Sequence, residues 1–208
     1  MECLVSTITY TITCWLFLPA DKKRILCCLQ DGLRAQNKAL PHFVRKTTLS
    51  DQSQVTGLLD RLDKEITDGN VCVDGFIDDL QMFQDRRSIV GLVGLEAKLE
   101  AAERQDQLEG AQAKKELFAK LLAKMQHYPS AQKIFALFLA RINDVFENHI
   151  IPHASSLDRQ QIDEIIEDKI VQPTLQDMGA GFEHFTINHA HVRGMIYWLA
   201  DRCYVRWS

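Results

Sequence analysis

The sequence predicts a mainly α-helical domain with a few short strands, and three observations carry that expectation. After residue 50, apolar residues recur at three- and four-residue spacing, the period of one buried helix face. Breaks at Asp68-Gly69-Asn70, Tyr128-Pro129-Ser130 and Gly179-Ala180-Gly181 cut these runs into helix-sized pieces. Strand-like alternation is confined to short stretches, most of them near the two ends of the chain.

The first 48 residues read as a basic N-terminal segment, and residues 49–208 as the helical domain. Residues 1–48 carry seven Lys or Arg against three Asp or Glu, a net +4, so with −4 on the whole chain the remainder carries −8. Thr7, Thr9, Thr11 and Thr13 alternate with Ile8, Tyr10, Ile12 and Cys14, a strand pattern that Pro19 closes, although Trp15 to Leu18 could equally belong to a buried helix. The apolar stretch Cys3–Leu18 is too short and too polar to span a bilayer, and it lacks the basic start of a signal peptide. Ile25, Leu26, Leu29 and Leu33 then mark an amphipathic helix over about 21–40, ended by Pro41.

In the second part, Ser50 or Asp51 can cap a helix to about Thr67, striped by Val55, Leu58, Leu59, Leu62 and Ile66. Val71-Cys72-Val73 looks extended, while Phe76, Ile77, Leu80 and Phe83 are spaced for a short helix. Helices are expected over 87–108 and 112–126, and the strongest over 130–150, whose face of Ile134, Phe135, Phe138, Ile142, Val145, Phe146 and Ile150 demands burial. Ser155 with Asp158 suggests a capping box for a helix lined by Ile162, Ile165, Ile166 and Ile170, which Pro173 should kink or restart. Phe182–Ile187 and Cys203–Trp207 read as short strands that could pair with each other, on either side of a helix capped by Asn188.

With 46% hydrophobic and 25% charged residues, the composition is that of one folded domain, or one domain with an appendage. Six cysteines without a CxxC pair or an even framework point to reduced thiols and a cytoplasmic protein. No motif for catalysis emerges. His184, His189 and His191, near Glu183 and Cys203, offer metal-ligand types, but residues two apart on a helix point about 200° apart and no second pair completes a zinc set. The glycines form no phosphate cradle, and Glu96-Ala97-Lys98 has the letters of a nuclease site without the strand that would hold it, so an exposed turn is the plainer reading. No cofactor or metal is therefore expected. Lys22, Lys23, Arg24, Arg34, Lys38, Arg45 and Lys46 could contact DNA phosphates, although a solvated face is the ordinary reading of such a cluster and only Phe43 offers aromatic interleaving.

The tail is the most distinctive stretch. Arg193, Tyr197, Trp198, Arg206 and Trp207 crowd into fifteen residues the side-chain types enriched at interface hot spots, and they are the candidate interaction residues, with at least one tryptophan expected in the core. The run RGMIYWLADRCYVRW at 193–207, preceded by IDEIIEDKIVQP at 162–173 and IFALFLARINDVFENHIIPH at 134–153, resembles the C-terminal domain of effector proteins of ABC-three component systems. Gly194, Met195, Tyr197, Leu199, Cys203, Val205, Arg206 and Trp207 fit its closing pattern, and the resemblance covers about 112–208, with an extension back to residue 50 left open. The resemblance implies a prokaryotic system directed against phage or plasmids, in which this domain links an effector to an SMC-like ABC ATPase and a small middle component. It also implies a separate N-terminal toxic domain, for which 48 residues are too few, so the chain would be an effector fragment or a stand-alone adaptor. A non-catalytic interaction subunit, open to homo-oligomers, is the first expectation; a small nuclease or metal-dependent hydrolase fragment is the alternative.

Overall fold

The computed structural model describes residues 51–69, 75–87, 93–179 and 182–208. The expected N-terminal strand and 21–40 helix, the basic cluster, and the extended Val71–Val73 lie outside them. Helix α1 (Asp51–Thr67) buries Val55, Leu58 and Leu62 and ends at Gly69, whose φ of 63° suits a residue without a Cβ. The short α2 (Asp78–Gln84) buries Leu80 and Phe83. The expected 87–108 helix is shorter than its pattern: α3 covers only Leu95–Ala101, and Glu103 at φ 55° turns the chain out. There Arg104 N–H donates to Leu99 O at 2.8 Å and Glu103 N–H to Glu100 O at 3.0 Å, the paired bonds of a Schellman stop. The cap is anchored because Arg104, 2% exposed, donates to Asp163 Oδ1 at 2.7 Å and to Arg159 O at 3.1 Å.

Helices α4 (Leu108–Met125) and α5 (Pro129–Val145) follow, with Pro129 at the start of α5, where its missing N–H costs nothing. The Glu65 carboxylate on α1 accepts from Ser130 N–H at 3.2 Å and Ser130 Oγ at 2.6 Å, so a charge from one helix caps the positive end of another. Fully buried Gln132 serves the neighbouring loops: its Oε1 accepts from Ile77 N–H at 2.6 Å, and its Nε2 donates to the carbonyls of Gly75 and Gln126.

Two prolines shape the next segment. Helix α5 widens into a π turn at Phe146–Ile150 and tightens at Ile151–His153 around Pro152; α6 (Arg159–Ile166) widens at Glu167–Val171 before α7 (Gln172–Met178), which holds Pro173. Proline supplies no N–H for an α turn, and its ring crowds the carbonyl four residues back; a widened turn just ahead relieves both. The α6 cap is Asp158 with Gln161, not the Ser155 and Asp158 pair of the sequence pattern: Gln161 N–H donates to Asp158 Oδ1 at 2.8 Å and Asp158 N–H to Gln161 Oε1 at 2.9 Å.

Helix α8 (His189–Asp201) completes the fold. It crosses α4 so closely that a Cβ on Gly194 would lie 2.2 Å from the Lys114 carbonyl oxygen. Phe118 of α4 stands edge-on to both Phe135 of α5 (5.9 Å) and Trp198 of α8 (5.7 Å), joining three helices in one aromatic centre. Among the described residues no strand forms, which corrects the expected pairing of 182–187 with 203–207. Phe182 and Phe185 instead contact each other at 5.1 Å, with Phe185 reaching Phe135, and the irregular tail packs on the core with Tyr204, Val205 and Trp207 buried.

Lys98 is also buried, at 3% exposure, correcting the exposed turn expected for Glu96-Ala97-Lys98. Its Nζ donates to Ala200 O at 2.5 Å in the last turn of α8, the negative end of the helix. Burial pulls the ammonium below its ordinary 10.5, against the opposing pull of Cys203 and Asp201. Because the folded value is depressed for a base, the folded chain sheds this proton first as pH rises; stability then climbs from the lowered value up to 10.5. Lys98→Met should remove that alkaline gain while changing neutral stability by only about 1 kcal/mol, since Cys203 N–H still serves Ala200 O at 3.1 Å. Denaturant titrations of both proteins across the alkaline range check this, and an unchanged slope in the variant refutes it.

Candidate interaction surface at the C-terminal helix and tail

Helix α8 is fixed at both ends. Asn188 Oδ1 accepts from Ala190 N–H at 3.0 Å and His191 N–H at 3.2 Å, as the sequence predicts for this cap. At the other end Tyr204 N–H donates to Leu199 O at 3.0 Å and Cys203 N–H to Ala200 O, a second Schellman stop with Cys203 at φ 66°. A cysteine here bears a steric cost that glycine would not. The thiol is buried.

Between these ends every residue from Gly194 to Ala200 is buried. Of the candidate interaction residues, three lie inside. Trp198 faces Phe118, with the Arg202 guanidinium 3.8 Å over its ring. Trp207 stands edge-on to Phe146 at 5.8 Å and tilted against Tyr197 at 6.0 Å. Burial raises the Tyr197 hydroxyl above its ordinary value. Arg206 is exposed. Arg193, about a third exposed, donates to Glu167 Oε2 at 2.9 Å in the second π turn. Burial alone would raise the Glu167 carboxyl, but the Gln172 amide and Arg193 together hold it below its usual value. A shallow hollow of about 480 Å³ opens there, lined by Arg159, Gln160, Asp163, Glu164, Glu167 and Arg193.

Beyond Arg206, the tail's positive groups come from residues the sequence reading did not single out. Arg87 lies 4.1 Å over the Tyr204 ring and 3.2 Å from Glu147, and its N–H donates to Arg202 O at 3.1 Å. Tyr204 donates its hydroxyl to Met82 O, so α2 and the tail are tied together. Only the Arg86-Arg87 doublet and the Asp201-Arg202 pair could have signalled this, and nothing in their spacing joins them.

The histidines do not converge. His184 Nε2 lies 3.0 Å from Asp63, His189 Nε2 is 3.7 Å from Glu167, and His191 belongs to the α8 cap. Among the described residues no three His, Cys, Asp or Glu side chains are grouped to hold a metal ion, and no helix is long and apolar enough to cross a membrane.

The closing pattern of Gly194, Met195, Tyr197, Leu199, Cys203, Val205, Arg206 and Trp207 thus maps onto one helix crossing, one helix stop and one buried tail. The family model for C-terminal domain 9 of the ABC-three component systems matches residues 94–207. The chain belongs to this family. As an ABC-three component C-terminal domain 9, it is part of a prokaryotic conflict system. The match takes in α3 to α8 and the tail, starting earlier than the resemblance centred on 112–208, while α1 and α2 lie before it. No curated protein and no solved structure matches the chain.

Proposed function

We propose that the chain is a non-catalytic linking component of its ABC-three component system, holding an effector to an SMC-like ABC ATPase and a small middle component. The observation that carries this reading is that the family match ends on the tail, where buried Tyr197 and Trp207 pack on each other close in sequence to partly exposed Arg193 and exposed Arg206. In this reading Arg206 and Arg193 make the contacts and the aromatic residues hold them in place. A preorganised surface loses little conformational entropy on docking, which favours a stable link. The basic segment of residues 1–48 is a further candidate for DNA contact, and the chain can also associate with itself in this reading.

Co-expression with the ABC ATPase and middle component of its system tests the proposal. The expected result is a complex that survives purification and weakens when Arg193 and Arg206 are both replaced by Ala, with no nuclease turnover by the chain alone with or without divalent metal. DNA cleavage abolished by Glu96→Ala, with no complex formed, would overturn it in favour of the enzyme reading.

A further inference from the structure

At the C-terminal end of α8 one carboxylate is shared among three cations drawn from three parts of the chain. Asp201 Oδ2 lies 3.4 Å from Arg86 Nη2 and 4.0 Å from Arg202 Nη1, and its Oδ1 lies 3.6 Å from Lys115 Nζ. Arg86 follows α2, Lys115 stands on α4, and Arg202 caps α8, so the fold assembles the group rather than a basic run. Buried Lys98 also feels Asp201 and Arg206. The nearby Arg87 is matched by Glu147 at 3.2 Å, and Asp85 accepts from the Gln81 amide at 3.3 Å.

Positive charge is therefore in excess at this point, within a part of the chain that is negative as a whole. The negative end of the α8 dipole accounts for some attraction of cations. It does not account for all of them: Arg202 is held below its ordinary value by burial, with Arg86 adding to the effect and Asp201 only partly opposing it. Arg86 is 60% exposed, so the open side of the cluster faces solvent.

We propose that this cluster seats an acidic segment of a protein partner, whose Asp or Glu side chains join or displace Asp201 among Arg86, Lys115 and Arg202. This rests on the reading of the chain as a linking component and names the chemistry of what it links. A protein segment fits better than nucleic acid. The cations converge on one point instead of tracking a backbone, which suits a short run of carboxylates and not a chain of evenly spaced phosphates. Arginine forks suit carboxylate pairs, and such contacts set partner choice and encounter rate.

In this scheme Asp201 is an internal competitor, which gives the test its sign. The probe is a fluorescent synthetic peptide rich in Asp and Glu, with a Lys-rich peptide, inorganic phosphate and duplex DNA as comparisons, titrated against the full chain. Arg86→Ala and Lys115→Ala should each weaken the acidic peptide roughly two- to five-fold, and Asp201→Asn should tighten it by a similar factor. If Asp201→Asn melts early, Arg86→Glu still carries the test at a largely exposed side chain, where loss of peptide binding without loss of fold is expected. Unchanged binding in the Arg86 and Lys115 variants overturns the proposal, as does weaker binding in a folded Asp201→Asn protein. Duplex DNA that binds more tightly than the peptide and is lost in the Arg86 and Lys115 variants overturns it too, as does full displacement of the peptide by phosphate. A complex with the system's components but no peptide affinity defeats only the acidic segment. Peptide affinity with no complex defeats the linking role and leaves the cluster.

Discussion

Gly194→Ala should be among the most damaging single substitutions in this domain. The added methyl would meet the Lys114 carbonyl oxygen at 2.2 Å and its carbon at 2.9 Å, and Phe118 Cβ at 3.1 Å. A flexible side-chain tip could step aside, but backbone in the middle of α4 cannot move without shifting the helix. Parting α8 from α4 would also disturb the Phe118 and Trp198 contact that anchors the aromatic centre. Overpacking costs roughly 1–3 kcal/mol, and a backbone clash belongs at the upper end or beyond it. In a chain of this size that lowers the melting temperature by about 5–10 °C. Gly57→Ala is the control, because nothing lies within 4 Å of a Cβ there and the helix should gain slightly. Equal melting of the Gly194→Ala and wild-type proteins would mean that the two helices do not cross as described.

The helices were legible wherever periodicity and punctuation agreed. Val55, Leu58 and Leu62 place α1, the aromatic stripe places α5, and Asn188 caps α8. The expected strands failed for a reason that spacing cannot reveal. Tyr204, Val205 and Trp207 are buried because the tail lies on the α-helical core, and its first backbone bonds go to the end of α8 instead of to a neighbouring strand. The candidate site was legible in residue type but not in orientation. Tyr197 and Trp198 are adjacent on one helix and would normally face different directions, yet both are buried because α8 is covered along Gly194–Ala200 on all sides. The Asp201 cluster was out of reach, since positions 86, 115 and 202 meet only after folding.

Trp207→Ala and Arg206→Ala should therefore separate support from contact at adjacent positions. Trp207 is 4% exposed and packs on Phe146 and Tyr197, so its loss should cost about 3–5 kcal/mol, a fall of many degrees in melting temperature. Arg206 is exposed, and its truncation should leave stability within about 0.5 kcal/mol of wild type. If the tail is a docking surface, Arg206→Ala should weaken complex formation with no change in melting. Trp207→Ala should weaken it only as far as the supporting floor is lost. Trp198→Ala, which empties the other side of α8 and removes the ring beneath Arg202, supplies a matched loss of core. Binding that falls in step with melting temperature in both tryptophan variants, and not at all in Arg206→Ala, would reduce the tail to packing. A folded Arg206→Ala protein with weakened binding would place the contact on the charged rim.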